Sequence, residues 1–86
     1  LKLRENDVTW REIDGEMVIL DLRTSKYLTA NAVGTKLLQL LAADRSTDEL
    51  ADALVDEFDI SRDRATGDVE VFVKQLSDRG LLQAAG

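Results

Sequence analysis

The sequence predicts an α+β domain in which a three-stranded antiparallel sheet is followed by three helices, βββααα. Three observations predict it. Asp14-Gly15 separates two β-prone runs. A third β-prone run, Tyr27-Leu28-Thr29, resumes after the polar Arg23-Thr24-Ser25-Lys26. Beyond Asn31 the apolar residues recur at helical spacing, and each such stretch opens on a capping residue.

Residues 1–7 are mostly charged and are expected to fray, leaving an ordered core over about 8–82. Val8–Ile13 forms the first strand, with Val8 and Trp10 on one face and Thr9, Arg11 and Ile13 on the other. Trp10 is read as core or sheet packing. The Asp14-Gly15 turn leads to the second strand, Met17–Leu22. A following turn of two or four residues sets Leu22 opposite Tyr27 and Leu20 opposite Thr29; an odd length would flip the faces. Tyr27–Thr29 is then the last strand, with an edge that the helices must cover or a partner must occupy.

Asn31 is a good N-cap for a helix carrying Val33, Leu37, Leu40 and Leu41 on one stripe, widened by Leu38 and ending near Ala43. Gly34 inside it costs about 1 kcal/mol against Ala and is expected to permit a close approach to the sheet. Ser46-Thr47-Asp48-Glu49 matches a capping box, and the second helix runs to about Phe58 through Leu50 and Leu54. Its other face carries Asp48, Glu49, Asp52, Asp56, Glu57 and Asp59, read as a solvated surface with a contact for a basic partner as the alternative. Ser61 caps the third helix, whose stripe is Ala65, Val69, Phe72, Val73 and Leu76; Gly67 weakens it and Gly80 ends it. Leu81-Leu82 then tuck back onto the core. No proline, repeat or linker divides the chain, so residues 1–86 read as a single domain.

Composition excludes several functions. Without cysteine or histidine there is no thiol nucleophile, imidazole base, disulfide or ordinary zinc site. The carboxylates single out no catalytic pair, the glycines form no phosphate loop, and no cofactor or metal is expected, so the chain is not read as an enzyme. No apolar run is long enough to span a membrane, and a soluble cytoplasmic domain is expected. The parts resemble a winged helix-turn-helix, but 17 acidic against 11 basic side chains give a net charge of −6, which phosphates repel. Nucleic acid is therefore not an expected partner.

The run DGEMVILDLRTSKYLTANAVGTKLLQLL, then STDELADALVDEF, then DVEVFVKQLSDRGLL, resembles the PqqD-like family of peptide-recognition domains in ribosomal peptide natural-product pathways. The resemblance covers Val8 to Leu82 and is nearest to the stand-alone leader-binding proteins of lasso-peptide pathways. It implies a monomer that adds a precursor's leader peptide as a strand antiparallel to Lys26-Tyr27-Leu28-Thr29. Val69, Phe72, Val73 and Leu76 of the third helix would line the groove, and Asp68 or the second-helix carboxylates would steer a basic leader onto the site. It further implies a Tyr-x-x-Pro leader with a downstream apolar residue, and hand-over to a leader peptidase and a macrocycle-forming cyclase. A PqqD-type chaperone for a radical SAM enzyme is the alternative within the family, and a winged-helix DNA-binding regulator the one outside it. The same stripe on the third helix would equally serve as plain core, and Phe72 and Val69 are the members expected at the groove surface.

Overall fold

Asp14 and Gly15 both take positive φ, 52° and 82°, and the chain reverses there between β1 (Val8–Ile13) and β2 (Glu16–Asp21). The computed structural model describes residues 1–83; the expected domain end at residue 86 lies outside them. β3 (Lys26–Thr29) follows, then α1 (Ala32–Leu40), α2 (Thr47–Phe58) and α3 (Arg62–Asp78), so the expected element order is observed. The sheet is antiparallel in the order β1-β2-β3, which leaves β3 as an edge.

The second hairpin pairs Leu20 with Tyr27 and Asp21 with Lys26, two residues away from the expected register. The faces are unchanged, because a slip of two preserves parity. Asp21 causes the slip. Its Oδ1 accepts from the Arg23 N–H at 2.9 Å and its carbonyl from the Ser25 N–H at 2.8 Å, closing the turn before Leu22 can pair. Leu22 is left 55% exposed in the loop.

All three helices start where their caps predict. Asn31 Oδ1 accepts from Gly34 N–H at 2.9 Å, and Ser61 Oγ accepts from Arg64 N–H at 3.2 Å. Ser46 and Glu49 form a reciprocal capping box. α1 ends at Leu40, short of the expected Ala43, because Ala42 and Ala43 donate to carbonyls three residues back and tighten the last turn. Gly80 (φ 67°) ends α3 as a C′ residue: the Leu81 N–H reaches the Leu76 carbonyl at 2.9 Å, and both leucines are buried.

The core lies between the inner face of the sheet and the helices. Ile19, Leu37, Leu38, Leu41, Leu50 and Leu54 are each no more than 1% exposed. α3 packs chiefly on α2, and α1 bridges α2 and β2. Thr35 fastens that bridge, its buried Oγ1 accepting from the Met17 N–H at 2.9 Å.

Two expectations are corrected. Residues 1–7 do not hang free. Leu3 is 3% exposed and bridges Leu82; its N–H donates to the Leu41 carbonyl at 2.9 Å, and the Arg4 N–H donates to the Leu81 carbonyl at 2.8 Å. Arg4 then donates to the Gly80 carbonyl at 2.7 Å, the Asn6 carbonyl at 2.9 Å and Asp21 Oδ1 at 2.6 Å. Two leucines among charged residues, Leu1 and Leu3, are too few to set a periodicity, so composition alone read as fraying. Trp10 is on the predicted face but 45% exposed, because β1 is the outer edge and the helices cover β2 instead.

Two outcomes follow for stability. A Cβ at Gly67 would meet nothing within 4 Å, so Gly67→Ala should stabilise by about 0.5–1 kcal/mol, read as a raised urea midpoint. The Arg23 N–H, and then Arg4, hold the Asp21 carboxyl below its ordinary 3.8 against the opposing effect of burial. Because the folded-state pKa is the lower one, this stability is complete above the ordinary value and is lost as pH falls through the folded value. Urea midpoints measured below about pH 5 should fall more steeply for the wild type than for Asp21→Asn, which should be less stable at neutral pH.

Candidate functional site

β3 sets up the site through the alternation of its backbone. Ala30 N–H donates to the Met17 carbonyl at 2.8 Å, so Leu28 and Lys26, at the same register, also exchange their backbone bonds with β2. Tyr27 and Thr29 lie between these pairs, and their N–H and C=O groups point to the open side. Side chains alternate in the opposite sense. Leu28 and Lys26 share the inner face with Ile19 and Asp21, whereas Tyr27 and Thr29 stand on the outer face beside Leu20 and Val18. Two residues thus offer backbone to the open side and two offer side chains to the inner face.

α3 does not pack on this edge, and two depressions, one by the start of β3 and the end of α3 and one near Asn31, form the two ends of a trough. Near the start of β3, a cleft of about 450 Å³ is floored by Ile19, Leu28 and Leu81 and flanked by Lys26 and Arg79. Near Asn31, a shallower one of about 300 Å³ is lined by Val33, Gly34, Val71 and Phe72, with Arg64 and Asp68 at its rim. β1 is an edge too, but the 440 Å³ cleft beside it is walled by the N-terminal segment and Trp10, with no helix alongside.

The expected site residues divide under this geometry. Lys26, Leu28 and Phe72 reach the trough by side chain, and Tyr27 and Thr29 by backbone, Tyr27 with its ring 68% exposed on the other face. Asp68 sits at the rim, 3.8 Å from Arg64. Val73 is half-buried and packs on the core. Val69 and Leu76 are corrected: at 1% and 0% exposure they are core residues. Val69 lies beside Thr47 and Asp48 at the start of α2 rather than toward β3. Of the four groove candidates Val69, Phe72, Val73 and Leu76, two are fully buried, but Val69 was expected at the groove surface and is not there.

Two further residues shape the trough. Arg79, the α3 C-cap, reaches across it and donates from Nη1 to the Tyr27 carbonyl at 3.5 Å, near the limit of a hydrogen bond. Its place just before a helix-ending glycine was the available sequence signal, since it fixes Arg79 at the end of α3. Gly34 was expected to admit the sheet; it admits Phe72 instead. A Cβ there would lie 2.9 Å from Phe72 Cε1 and 3.0 Å from Ala30 Cβ.

Among the described residues no group of acidic side chains could hold a metal ion, and no helix is long and apolar enough to cross a membrane. The α2 carboxylates are largely engaged. Asp48 and Asp52 meet Arg62, Glu49 meets Arg45 at 3.6 Å, and Glu57 meets Lys36 at 4.0 Å.

Gly34→Ala sets a helix-propensity gain of about 1 kcal/mol against the clash with Phe72. Its unfolding free energy should stay within about 1 kcal/mol of wild type, while the Phe72 ring resonances shift in aromatic NMR spectra. Unmoved resonances would mean that Gly34 does not position the ring.

Residues 16–82 match the family model described as coenzyme PQQ synthesis protein D (PqqD). No curated relative matches the sequence. Two solved structures share the fold. One is TbiB1 in complex with the TbiA(beta) leader peptide, at 29% identity and a TM-score of 0.87, over 100% of this chain and 99% of that one. The other is lasso peptide synthetase B1 complexed with the leader peptide, at 26% identity and a TM-score of 0.83, over 96% of each chain.

Proposed function

The chain belongs to the PqqD family, and on that premise we propose that it binds the leader segment of a ribosomally made precursor as a fourth strand, antiparallel to β3 and seated against α3. The observation that carries this reading is the open edge, where Tyr27 and Thr29 turn backbone that no strand pairs toward a trough that α3 leaves unfilled. Both structural neighbours, over almost their whole length, are proteins solved with leader peptides, which supports it.

Magnitudes separate the contributions. Two outward residues supply at most four backbone hydrogen bonds, and at about 1 kcal/mol net each they account for no more than about millimolar affinity. The entropy of association works against even that. Side-chain burial must therefore provide most of the useful affinity, while the backbone fixes direction and register. In an antiparallel addition the incoming N-terminal part lies at the Asn31 end. An aromatic anchor would enter between Val33 and Phe72, and a later apolar residue would cover Leu28, Ile19 and Leu81. That order fits a Tyr-x-x-Pro leader with a downstream apolar residue.

In this reading the domain is a non-catalytic adaptor that acts as a single unit. It presents the bound precursor to a separate leader peptidase and macrocycle-forming cyclase. Asp68 is a rim charge with a minor effect on affinity, and Val69 and Leu76 act by supporting α3 from beneath.

Phe72→Ala should weaken binding of a synthetic Tyr-x-x-Pro leader about tenfold by isothermal titration calorimetry, with the variant still folded by circular dichroism. In a parallel amide NMR titration, the Tyr27 and Thr29 resonances should shift and gain exchange protection. A peptide that binds without touching those two amides would rule out strand addition at β3.

A further inference from the structure

Every lysine and arginine has a carboxylate within 4.0 Å among the described residues except Arg11, Lys26 and Arg79. Arg11 lies on β1, away from the trough. Lys26 and Arg79 flank the same cleft of about 450 Å³. Two carboxylates line that cleft as well, but each is engaged: Asp21 by Arg4 at 2.6 Å and Asp78 by Lys74 at 3.0 Å. In a chain of net charge −6, one end of the trough therefore holds uncompensated positive charge.

We infer that this cleft is an acid-reading subsite, in which Lys26 and Arg79 select an Asp or Glu side chain in the C-terminal part of the docked peptide. The inference rests on the strand-addition reading above. Direction follows from it: Lys26 opens β3, so it faces the later residues of an antiparallel strand. At about 3.3 Å per residue, the distance from the Asn31 end to Lys26 puts the acid roughly four to six residues after the aromatic anchor.

Arg79 also has a reason to move. Its 3.5 Å contact with the Tyr27 carbonyl occupies an acceptor that an incoming backbone N–H would need. A carboxylate arriving beside it offers the guanidinium a stronger, charge-assisted partner and releases that carbonyl for pairing. Two terms oppose the acid, the overall negative charge and the negative end of the α3 dipole. The first is screened beyond about 8–10 Å at physiological salt, and Arg79 at the C-cap offsets the second, so the two adjacent cations dominate.

The test uses synthetic leader peptides with a Tyr-x-x-Pro segment in which Glu, Gln or Lys is placed in turn at each downstream position. Affinities are read by calorimetry against the wild type, Arg79→Gln, Arg79→Glu and the control Arg11→Gln. At one position the wild type should bind the Glu peptide about tenfold more tightly than the Lys peptide. Arg79→Gln should collapse that preference, Arg79→Glu should reverse it, and Arg11→Gln should keep it. Binding with no Glu preference at any position, or one that survives Arg79→Glu, overturns the subsite and leaves strand addition standing. No binding by any of the peptides overturns the peptide-binding reading, and the subsite falls with it.

Discussion

The trough exists because the end of α3 is held by something other than β3. The Arg4 guanidinium joins the Gly80 carbonyl just past α3, the Asn6 carbonyl in the N-terminal segment, and the Asp21 carboxylate that closes the second hairpin. With the Leu3–Leu82 bridge, these bonds place α3 by way of the N-terminal segment. Charge-assisted bonds to a nearly buried carboxylate are strong enough to matter here.

Around this frame the trough separates two tasks. Odd-numbered residues of β3 turn backbone to the open side and even-numbered ones turn side chains to the inner face, a direct result of strand geometry. The pocket at the Asn31 end has its own construction. Gly34 lacks the atom that would clash with Phe72, so the ring sits close against α1 and lines a shallow hollow beside Val33. A glycine that costs α1 helical propensity thus shapes a surface on α3. The chemistry at one end of the trough is apolar, and at the other it is apolar with a cationic rim.

Local signals in the sequence were legible almost residue by residue. Asn31, Ser46 and Ser61 start helices, Gly80 ends one, and Asp14-Gly15 turns a hairpin, because each acts through bonds within a few residues. What the sequence left open depended on tertiary partners. A helical stripe shows that Val69, Phe72, Val73 and Leu76 face inward, but not which neighbour each one meets; Val69 meets α2, and Phe72 meets Gly34 of α1. The second hairpin's register turned on the Asp21 side chain, whose capture of the Arg23 N–H no β-propensity reveals. Leu3 and Arg4 were missed for a related reason, since partners such as Leu41, Leu81 and Leu82 lie far from them in sequence.

That last pairing has a kinetic meaning. Leu3 meets Leu82, and the Gln83 N–H donates to the Lys2 carbonyl at 2.7 Å, so the fold closes only when nearly the whole described chain is available. Contacts so distant in sequence carry a large loop-closure cost and slow the final step of folding. During synthesis the hairpins and α1 emerge first, with the Ile19 and Leu37 surfaces still uncovered and the β3 edge open. The nascent chain is most prone to mispairing in that interval, which closes once Leu82 and Gln83 meet the N-terminal segment.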